Sequence, residues 1–250
     1  MDFHINIKKK SFINPHDKTS IDVLKNINIK IKSKEFVCIV GPSGCGKTTL
    51  MNIIGGLIEA GDQKFNKEQS DLKTNGDFGY VFQTSRLLPW LTVKENIELV
   101  CEENEEYIER IESLLSEFDL HEFKNYYPKS ISGGMRRKVS LARALIKEPQ
   151  ILLMDEPFVS LDQPTAESLY SVLMKYWQKN PITIILITHN LKEAILLGDR
   201  IIFFSKRPAS VVYDHKIKAK REGLSIDNTE IQKEYDQLKK KFPSLLKGLV

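Results

Sequence analysis

Long hydrophobic runs are missing from this sequence. Its most apolar stretches, TIILIT and ILLM, fall far short of the roughly 20 residues that a membrane-spanning helix needs. The N-terminus, MDFHINIKKK, has neither the apolar core nor the small-residue cleavage site of a secretory signal peptide. These absences argue against an integral membrane protein and against a secreted one.

Cysteine and net charge are also low. The three cysteines, Cys38, Cys45 and Cys101, have no metal-ligand spacing, which is typical of reduced thiols in a cytoplasmic protein rather than of a disulfide scaffold. The formal net charge is only +4. That charge allows contact with an anionic membrane surface but does not indicate nucleic-acid binding. We therefore expect no nucleic-acid partner.

The sequence does contain a glycine-rich stretch, GPSGCGKTTL, that fits the pattern G-x-x-x-x-G-K-[ST]. EFVCIV before it predicts a buried strand, and TTLMNIIGGL after it has apolar residues at helical spacing. In this context backbone N–H groups surround phosphate oxygens, and the helix N-terminus adds its positive dipole end. We expect Lys47 to reach the β- and γ-phosphates, Thr48 to ligate Mg²⁺ and Thr49 to touch the α-phosphate. The predicted phosphate-binding residues are Gly41, Pro42, Ser43, Gly44, Cys45, Gly46, Lys47, Thr48 and Thr49.

Two acids end a second apolar strand, in QILLMDEP. A buried carboxylate is unfavourable unless it is paired, and Mg²⁺ held through water would pair with Asp155. Glu156 is then placed to act as the general base on the attacking water. An acid that merely caps a loop would explain either residue alone, but hardly both beside a phosphate loop. The guanine-reading motif N-K-x-D is missing, since NKEQ at Asn66 lacks the aspartate, and this favours ATP.

A second anion-binding helix start is predicted in SISGGMRRKVSLARALIKEP. Ser132 is a good N-cap, and Gly133 and Gly134 leave the backbone open to a phosphate. The helix is predicted from about Met135 to a stop at Pro149. One nucleotide site does not need two such cradles, but a head-to-tail dimer does, because the second cradle of one chain covers the ATP of the other. We expect a dimer of identical chains on ATP binding.

These motifs resemble those of the ATP-binding subunits of ABC transporters, whose LSGGQ signature is similar to ISGGM. The resemblance covers roughly residues 1–205, with the motifs in family order. It implies that Gln83 in YVFQ senses the metal and the water, that Asp162 in SLD lies at the dimer seam, and that His189 in IILITHN contacts the γ-phosphate. Phe12 matches the aromatic position that stacks on adenine, although the edge of a core would use the same side chain. The implied catalytic residues are Lys47, Gln83, Glu156 and His189. The implied metal ligands are Thr48, Gln83 and Asp155.

The resemblance implies an α/β fold of the P-loop NTPase class, the ABC ATPase fold. In it a RecA-like core with an antiparallel β subdomain carries an inserted helical subdomain. We expect the ATPase domain over 1–205, its helical subdomain over about 84–147 and a basic tail over 206–250. The charge runs of the tail, KIKAKREG and IQKEYDQLKKKF, fit a solvated helix face, with a lipid or partner contact as the alternative.

The segment that follows Phe82 and Gln83 in the sequence indicates a branch of the family. RLLPWLTVKENIEL resembles the corresponding string of importers for nitrate, aliphatic sulfonates, taurine and thiamine precursors, and SGGMRRKVSLARAL and DRIIFFSKRP agree. In this family the segment lies against a membrane permease. The resemblance therefore implies a permease contact through residues 86–97, an indirect solute-binding protein, and a peripheral place on the cytoplasmic face of the inner or plasma membrane.

Four residues in the helical part are spaced for one buried helix face: Ile108, Ile111, Leu115 and Phe118. Three features depart from the importer pattern. Arg137-Lys138 stands where the group usually has Gln-Arg, Val159 replaces a usual glycine, and residues 59–77 are polar and short of the glycines that normally shape β-hairpins there.

Two other classes of function compete with transport. One is an ABC-type ATPase outside transport. Translation factors of that kind carry two ATPase halves and DNA-repair ATPases a long coiled coil, whereas only LLPWLTVKENI opposes an iron–sulfur assembly ATPase. The other class is a non-catalytic nucleotide-binding regulator, which usually lacks the glutamate or the histidine. Glu156 and His189 are both present.

Overall fold

The computed structural model describes residues 2–14, 16–59, 78–102, 105–219 and 225–243. Asn66 and nearly all of the segment 59–77 lie outside the described residues. The strands are β1 (Phe3–Ile13), β2 (Ser20–Ile31), β3 (Phe36–Val40), β4 (Phe78–Val81), β5 (Ile151–Asp155), β6 (Thr183–Ile187), β7 (Arg200–Phe204) and β8 (Val211–Lys216). The helices are α1 (Lys47–Ile54), α2 (Val93–Glu98), α3 (Glu105–Glu117), α4 (Gly133–Leu145), α5 (Gln163–Lys179), α6 (Leu191–Leu197) and α7 (Thr229–Lys241). The chain forms two compact units, the first from residues 1–74 and 183–250 and the second from residues 75–182.

The first unit contains four of these strands in the order β6-β3-β7-β8. β3 pairs parallel with β6 and with β7, and β8 pairs antiparallel with β7. Every residue of β3 and β6 is buried, as expected for parallel strands that are covered on both faces. The predicted strand EFVCIV is therefore confirmed, and the glycine-rich loop leaves its carboxyl end and enters α1.

The first unit also contains a long antiparallel hairpin, β1 with β2. Its register runs from Phe3 opposite Ile31 to Ile13 opposite Ser20, with an irregularity between Lys10 and Ser11. Over much of its length buried isoleucines alternate with exposed polar residues, which is the pattern of a sheet with one face on a core.

The second unit pairs β4 parallel with β5 and adds helices α2 to α5. Gly79 lies where α4 approaches β4, because a Cβ at this position would overlap the carbonyl oxygen of Ala144. The helix α4 starts two residues before the predicted Met135 and ends at Leu145 rather than at Pro149. It ends early because Glu148 takes a left-handed backbone with φ of 48°, which terminates a helix.

The predicted apolar face of the helical part is wrong at one position. Ile111, Leu115 and Phe118 are buried, but Ile108 is 54% exposed. The helix buries Leu114 instead. The buried stripe of α3, formed by Ile111, Leu114 and Leu115, therefore begins one helical turn later than predicted.

The C-terminal helix α7 buries Ile231, Glu234 and Leu238 and exposes its lysines. Glu234 is the residue that fastens the helix. Its carboxylate accepts hydrogen bonds from Nε2 of His215 at 2.7 Å and from the backbone nitrogens of Lys218 and Ala219. Among the described residues, no helix combines the length and apolar character needed to cross a bilayer.

Candidate functional site

The glycine-rich loop takes its shape from two left-handed turns. Gly44 has φ of 69° and Gly46 has φ of 125°, values that residues with a Cβ rarely adopt. Gly46 is also packed against β2, since a Cβ there would lie 2.7 Å from Cγ1 of Val23. The loop therefore requires glycine at Gly46 for two independent reasons.

Lys47 opens α1 and is folded back onto the loop. Its Nζ donates hydrogen bonds to the carbonyl oxygens of Gly41 at 2.7 Å and Pro42 at 3.1 Å, and the residue is buried. Thr48 is exposed and Thr49 is half-buried. Burial raises the pKa of the neighbouring Cys45 thiol, so this cysteine is a packing group rather than a reactive thiolate.

Arg207, which was not predicted as a site residue, forms hydrogen bonds with the same loop. Its Nε and Nη2 donate to the carbonyl oxygen of Gly44 at 3.1 and 2.5 Å. The loop that carries Arg207 is anchored on β2, because Ala209 donates to the carbonyl of Val23 at 2.8 Å and accepts from the backbone nitrogen of Lys25 at 2.9 Å. The string SKRP is the available signal, but in the sequence it serves only as a mark of the importer branch.

Two further candidates belong to the first unit. Phe12 lies near the end of β1 with its side chain 42% exposed and Nζ of Lys10 5.2 Å from its ring centroid. His189 is exposed just after β6, between Thr188 and the cap of α6. Asn190 forms that cap, because its Oδ1 accepts from the backbone nitrogens of Lys192 and Glu193. Both the Phe12 ring and the His189 imidazole are therefore exposed to solvent.

The two acids of the second unit lie at the end of the predicted strand β5, with Asp155 as its last residue and Glu156 directly after it. Asp155 is 6% exposed, and Glu156 is half-buried with φ of 46°. Burial of the Tyr80 side chain on β4 raises its pKa, and the negative charge of Asp155 raises it further. A glutamate in left-handed backbone is strained, and residues with such strain cluster at active sites and ligand-binding sites.

The second cradle has the predicted cap, but its two glycines differ. Oγ of Ser132 accepts from the backbone nitrogen of Met135 at 3.1 Å, and Ser132 and Gly133 are exposed. Gly134 is buried, and a Cβ there would overlap the Cγ2 methyl of Thr165. Gly133 thus leaves room for a ligand, whereas Gly134 leaves room for a neighbouring helix.

Asp162 caps the helix α5 that carries this threonine. Its carboxylate accepts from the backbone nitrogen of Thr165 at 2.8 Å, and hydrogen bonding with Thr165 lowers the pKa of Asp162. Thr165 therefore links Asp162 to Gly134 within the second unit.

Gln83 is exposed two residues after β4, and α4 holds its backbone. Arg137 donates to the carbonyl of Phe82 at 2.8 Å and of Gln83 at 2.6 Å, and Arg143 donates to the carbonyl of Ser85 at 3.1 Å. Desolvation lowers the pKa of both guanidinium groups. In the sequence Arg137 stands out only as a departure from the importer pattern, and its contact with this loop is not predicted.

The segment 86–97 presents an apolar loop. Trp90 is 67% exposed, while Leu87 and Leu88 are half-buried. The buried Asn96 holds the loop, because its Oδ1 accepts from the nitrogen of Leu88 and its Nδ2 donates to the carbonyls of Leu88, Leu91 and Thr92. Neither a pattern nor a propensity singles out this asparagine.

Each unit thus carries part of the predicted site. Phe12, His189 and the phosphate loop belong to the first unit, and the residues in the second are Gln83, Ser132, Gly133, Gly134, Asp155, Glu156 and Asp162. In the described part of the chain, no cluster of three or more His, Cys, Asp or Glu side chains could hold a metal by itself. Mg²⁺ does not need such a cluster, because it takes one or two protein oxygens besides substrate phosphates and water.

Comparison with known proteins identifies the family. The family model described as ABC transporter matches residues 24–159. An aliphatic sulfonates import ATP-binding protein of Bacillus cereus is 39% identical over 86% of this chain and 87% of its own. The taurine import ATP-binding protein of Jannaschia sp. (strain CCS1) is 36% identical over 86% of this chain and 82% of its own.

A solved structure agrees with the fold. The dimeric ATP-binding cassette MJ0796, bound to ADP and Pi, superposes with a TM-score of 0.70 at 32% identity, over 88% of this chain and 100% of that one. The predicted ABC ATPase fold is confirmed. Since the family model covers the phosphate loop, the Ser132 cradle and the two acids, the chain belongs to the ABC transporter family, as one of its ATP-hydrolysing ATP-binding subunits.

Proposed function

We propose that this chain energises the import of a small anionic solute, of the sulfonate, taurine or nitrate type, through a membrane permease. The solute class rests on the names of the two curated relatives and on the string RLLPWLTVKENIEL. The observation that supports a contact with a membrane permease is the exposed Trp90, which lies on a loop held by the buried Asn96. A fixed, exposed aromatic group is the kind of surface that another chain binds.

ATP binds first at the phosphate loop. Lys47 exchanges the carbonyls of Gly41 and Pro42 for β- and γ-phosphate oxygens, an exchange that is favourable because a charged acceptor makes the stronger hydrogen bond. The backbone N–H groups of the loop and the N-terminus of α1 receive the remaining oxygens. Phe12 stacks on the adenine, for which its exposed ring is suited.

Mg²⁺ fits the oxygen donors that the chain offers. Thr48 exposes a hydroxyl at the start of α1, Asp155 ends β5 with a carboxylate, and Gln83 adds an amide oxygen. These residues would hold the ion together with substrate phosphates. When bound, it neutralises charge on the phosphate oxygens.

Hydrolysis uses four side chains. Glu156 takes the proton of the attacking water, and Gln83 orients that water. His189 and Lys47 stabilise charge on the γ-phosphate. Most of the rate comes from positioning and charge stabilisation rather than from covalent chemistry.

Two identical chains close on two ATP molecules. Each ATP lies between the phosphate loop of one chain and Ser132 to Gly134 of the other, with Asp162 at the seam. The exposed Ser132 and Gly133 at the start of α4 suit this role, because a helix N-terminus is a ready site for phosphate. Closure drives the permease to change its facing, and hydrolysis reopens the dimer.

The chain acts as a peripheral subunit on the cytoplasmic face of the plasma or inner membrane. A solute-binding protein outside the cell membrane meets the permease, not this chain, and no nucleic acid takes part. The ATPase domain spans residues 1–205 with its helical subdomain over about 84–147, and residues 206–250 form a basic tail.

The test is affinity capture of the tagged chain from membranes, with co-purified polytopic membrane proteins identified by mass spectrometry. We expect capture of one permease, and loss of that permease with Trp90→Ala. Val212→Ala is the matched control, because Val212 is 49% exposed but lies on β8. ATP hydrolysis without any captured permease would instead favour an ATPase outside transport.

A further inference from the structure

The helix α4 begins at the Ser132 cradle and carries Arg137 in its second turn. We propose that Arg137 is a positioning residue that fixes the main chain of Phe82 and Gln83 on α4, so that the amide of Gln83 is correctly placed for hydrolysis. The proposal rests on the ATP-hydrolysing activity and on the role proposed above for Gln83.

The geometry of Arg137 is that of a two-pronged clamp. Nη1 donates to the carbonyl of Phe82 at 2.8 Å and Nη2 to the carbonyl of Gln83 at 2.6 Å. Two adjacent carbonyls held by one planar group fix the orientation of the peptide between them. Both bonds use main-chain atoms of the loop and so leave the amide of Gln83 available to substrate.

Neighbouring groups hold the same loop. Arg143, later on α4, donates to the carbonyl of Ser85 at 3.1 Å. The guanidinium of Arg86 lies 3.7 Å from the ring centroid of Phe82, which is itself stacked on Tyr80. Side chains from α4 and from the loop itself therefore constrain the segment that carries Gln83.

Arg137 is poorly explained as a stabilising residue. It is buried, 7% exposed, and desolvation lowers its pKa. Within the described ranges it forms no ion pair with a carboxylate, and its two hydrogen bonds go to the carbonyls already named. A buried guanidinium without a counter-ion is unfavourable compared with an apolar side chain of the same length. Its benefit is therefore the placement of the loop.

The test compares Arg137→Met, which removes both donors, with Arg137→Lys, whose ammonium keeps a donor at a similar reach but lacks the planar fork that holds both carbonyls. Lys138→Met is the matched control, because Lys138 is the next residue of α4 but pairs with Asp119. For Arg137→Met we expect kcat for ATP to fall about tenfold with KM within about twofold, since placement of Gln83 acts on the reaction and not on ATP binding. For Arg137→Lys we expect a loss of about threefold, and for Lys138→Met no change.

Two structural readouts report on the loop itself. Trypsin should cut after the exposed Arg86 about fivefold faster in Arg137→Met than in the parent, because the loop opens more often. In a Trp177→Phe background, where Trp90 is the one remaining tryptophan, its fluorescence should become more accessible to acrylamide. Both changes should be absent in Lys138→Met.

An unchanged kcat in Arg137→Met would overturn the proposal, and so would a lower kcat with unchanged cleavage and quenching at the loop. If Arg137→Met fails to fold, Arg137→Lys and Arg143→Met decide, since each weakens part of the same set of hydrogen bonds and should lower kcat with more rapid cleavage after Arg86. If Glu156→Gln loses activity while the Arg137 and Arg143 variants behave like the parent, the proposal for Arg137 fails and the ATPase mechanism stands. If Glu156→Gln keeps its activity, the ATPase mechanism itself fails.

Discussion

The loop after β3 in the first unit and the segments after β4 and β5 in the second unit all pass through left-handed backbone, but they use different residues. In the first unit the loop after β3 has positive φ at Gly44 and Gly46, 69° and 125°. In the second unit the segments after β4 and β5 have positive φ at Arg86 and Glu156, 45° and 46°. A residue with a Cβ loses about 1–2 kcal/mol in this region relative to its usual backbone, and glycine does not.

The difference follows from what each loop contributes. The phosphate loop works through backbone N–H groups, so glycine at its turns removes strain without loss of chemistry. After β5 the turn itself carries the carboxylate of Glu156, and after β4 it carries the guanidinium of Arg86 over Phe82. At Arg86 and Glu156 the strained backbone places a side chain that glycine could not supply.

The largest effect is expected at Glu156, the strained residue after β5. Glu156→Gln removes the general base and should slow ATP hydrolysis at least about a hundredfold, the usual contribution of such a group, while ATP still binds. Glu156→Gly removes the same carboxylate and also the strain, so it should be equally inactive but more stable than Glu156→Gln by about 0.5–1 kcal/mol. Phosphate release, ATP binding and thermal unfolding measure the three quantities, and normal turnover in Glu156→Gln would disprove the general-base role.

Gly46→Ala tests the glycine side of the comparison. The new methyl meets both the positive φ of 125° and Cγ1 of Val23 at 2.7 Å, so we expect a loss of about 2–4 kcal/mol in unfolding free energy and no ATP binding. Gly56→Ala separates the two causes. Gly56 has φ of 71° and open space around its Cβ direction, so it should lose only about 1 kcal/mol and bind ATP normally. Equal losses in both variants would show that packing against β2 contributes nothing.

The local features of the site were predictable from sequence, whereas its long-range contacts were not. The phosphate loop, the Ser132 cap and the strand that ends at Asp155 depend on residue types at fixed short spacings. Asn96 fixing Leu88, Thr165 filling the space beside Gly134, and Arg207 holding Gly44 depend on tertiary packing between distant segments. The predicted burial of Ile108 was wrong for the same reason, because helical spacing shows which residues share a face but not where the covering element begins.

Gly134→Ala sharpens the contrast between the two glycines of the second cradle. The methyl would overlap Cγ2 of Thr165, so the free energy of unfolding should fall by about 1–3 kcal/mol. Thr165→Ser removes that methyl but keeps the backbone nitrogen that Asp162 accepts from, and the double variant should recover most of the loss. Gly133→Ala is the control for fold, because its surroundings are open. Failure of Thr165→Ser to rescue the stability would contradict the packing explanation.

The smallest effect is expected at Arg207, the side chain that supports the phosphate loop from outside. Arg207→Ala removes two hydrogen bonds to the carbonyl of Gly44, but the group is exposed, and exposed charged contacts contribute little. We expect KM for ATP to rise about threefold with kcat unchanged, because the loop loses order before ATP binds and regains it afterwards. Lys206→Ala, the exposed cation beside it, should leave KM unaltered. Equal KM values in the two variants would mean that the glycines and Lys47 shape this loop without help from Arg207. The phosphate loop would then differ from the segment after β4, whose main chain is held by arginine side chains.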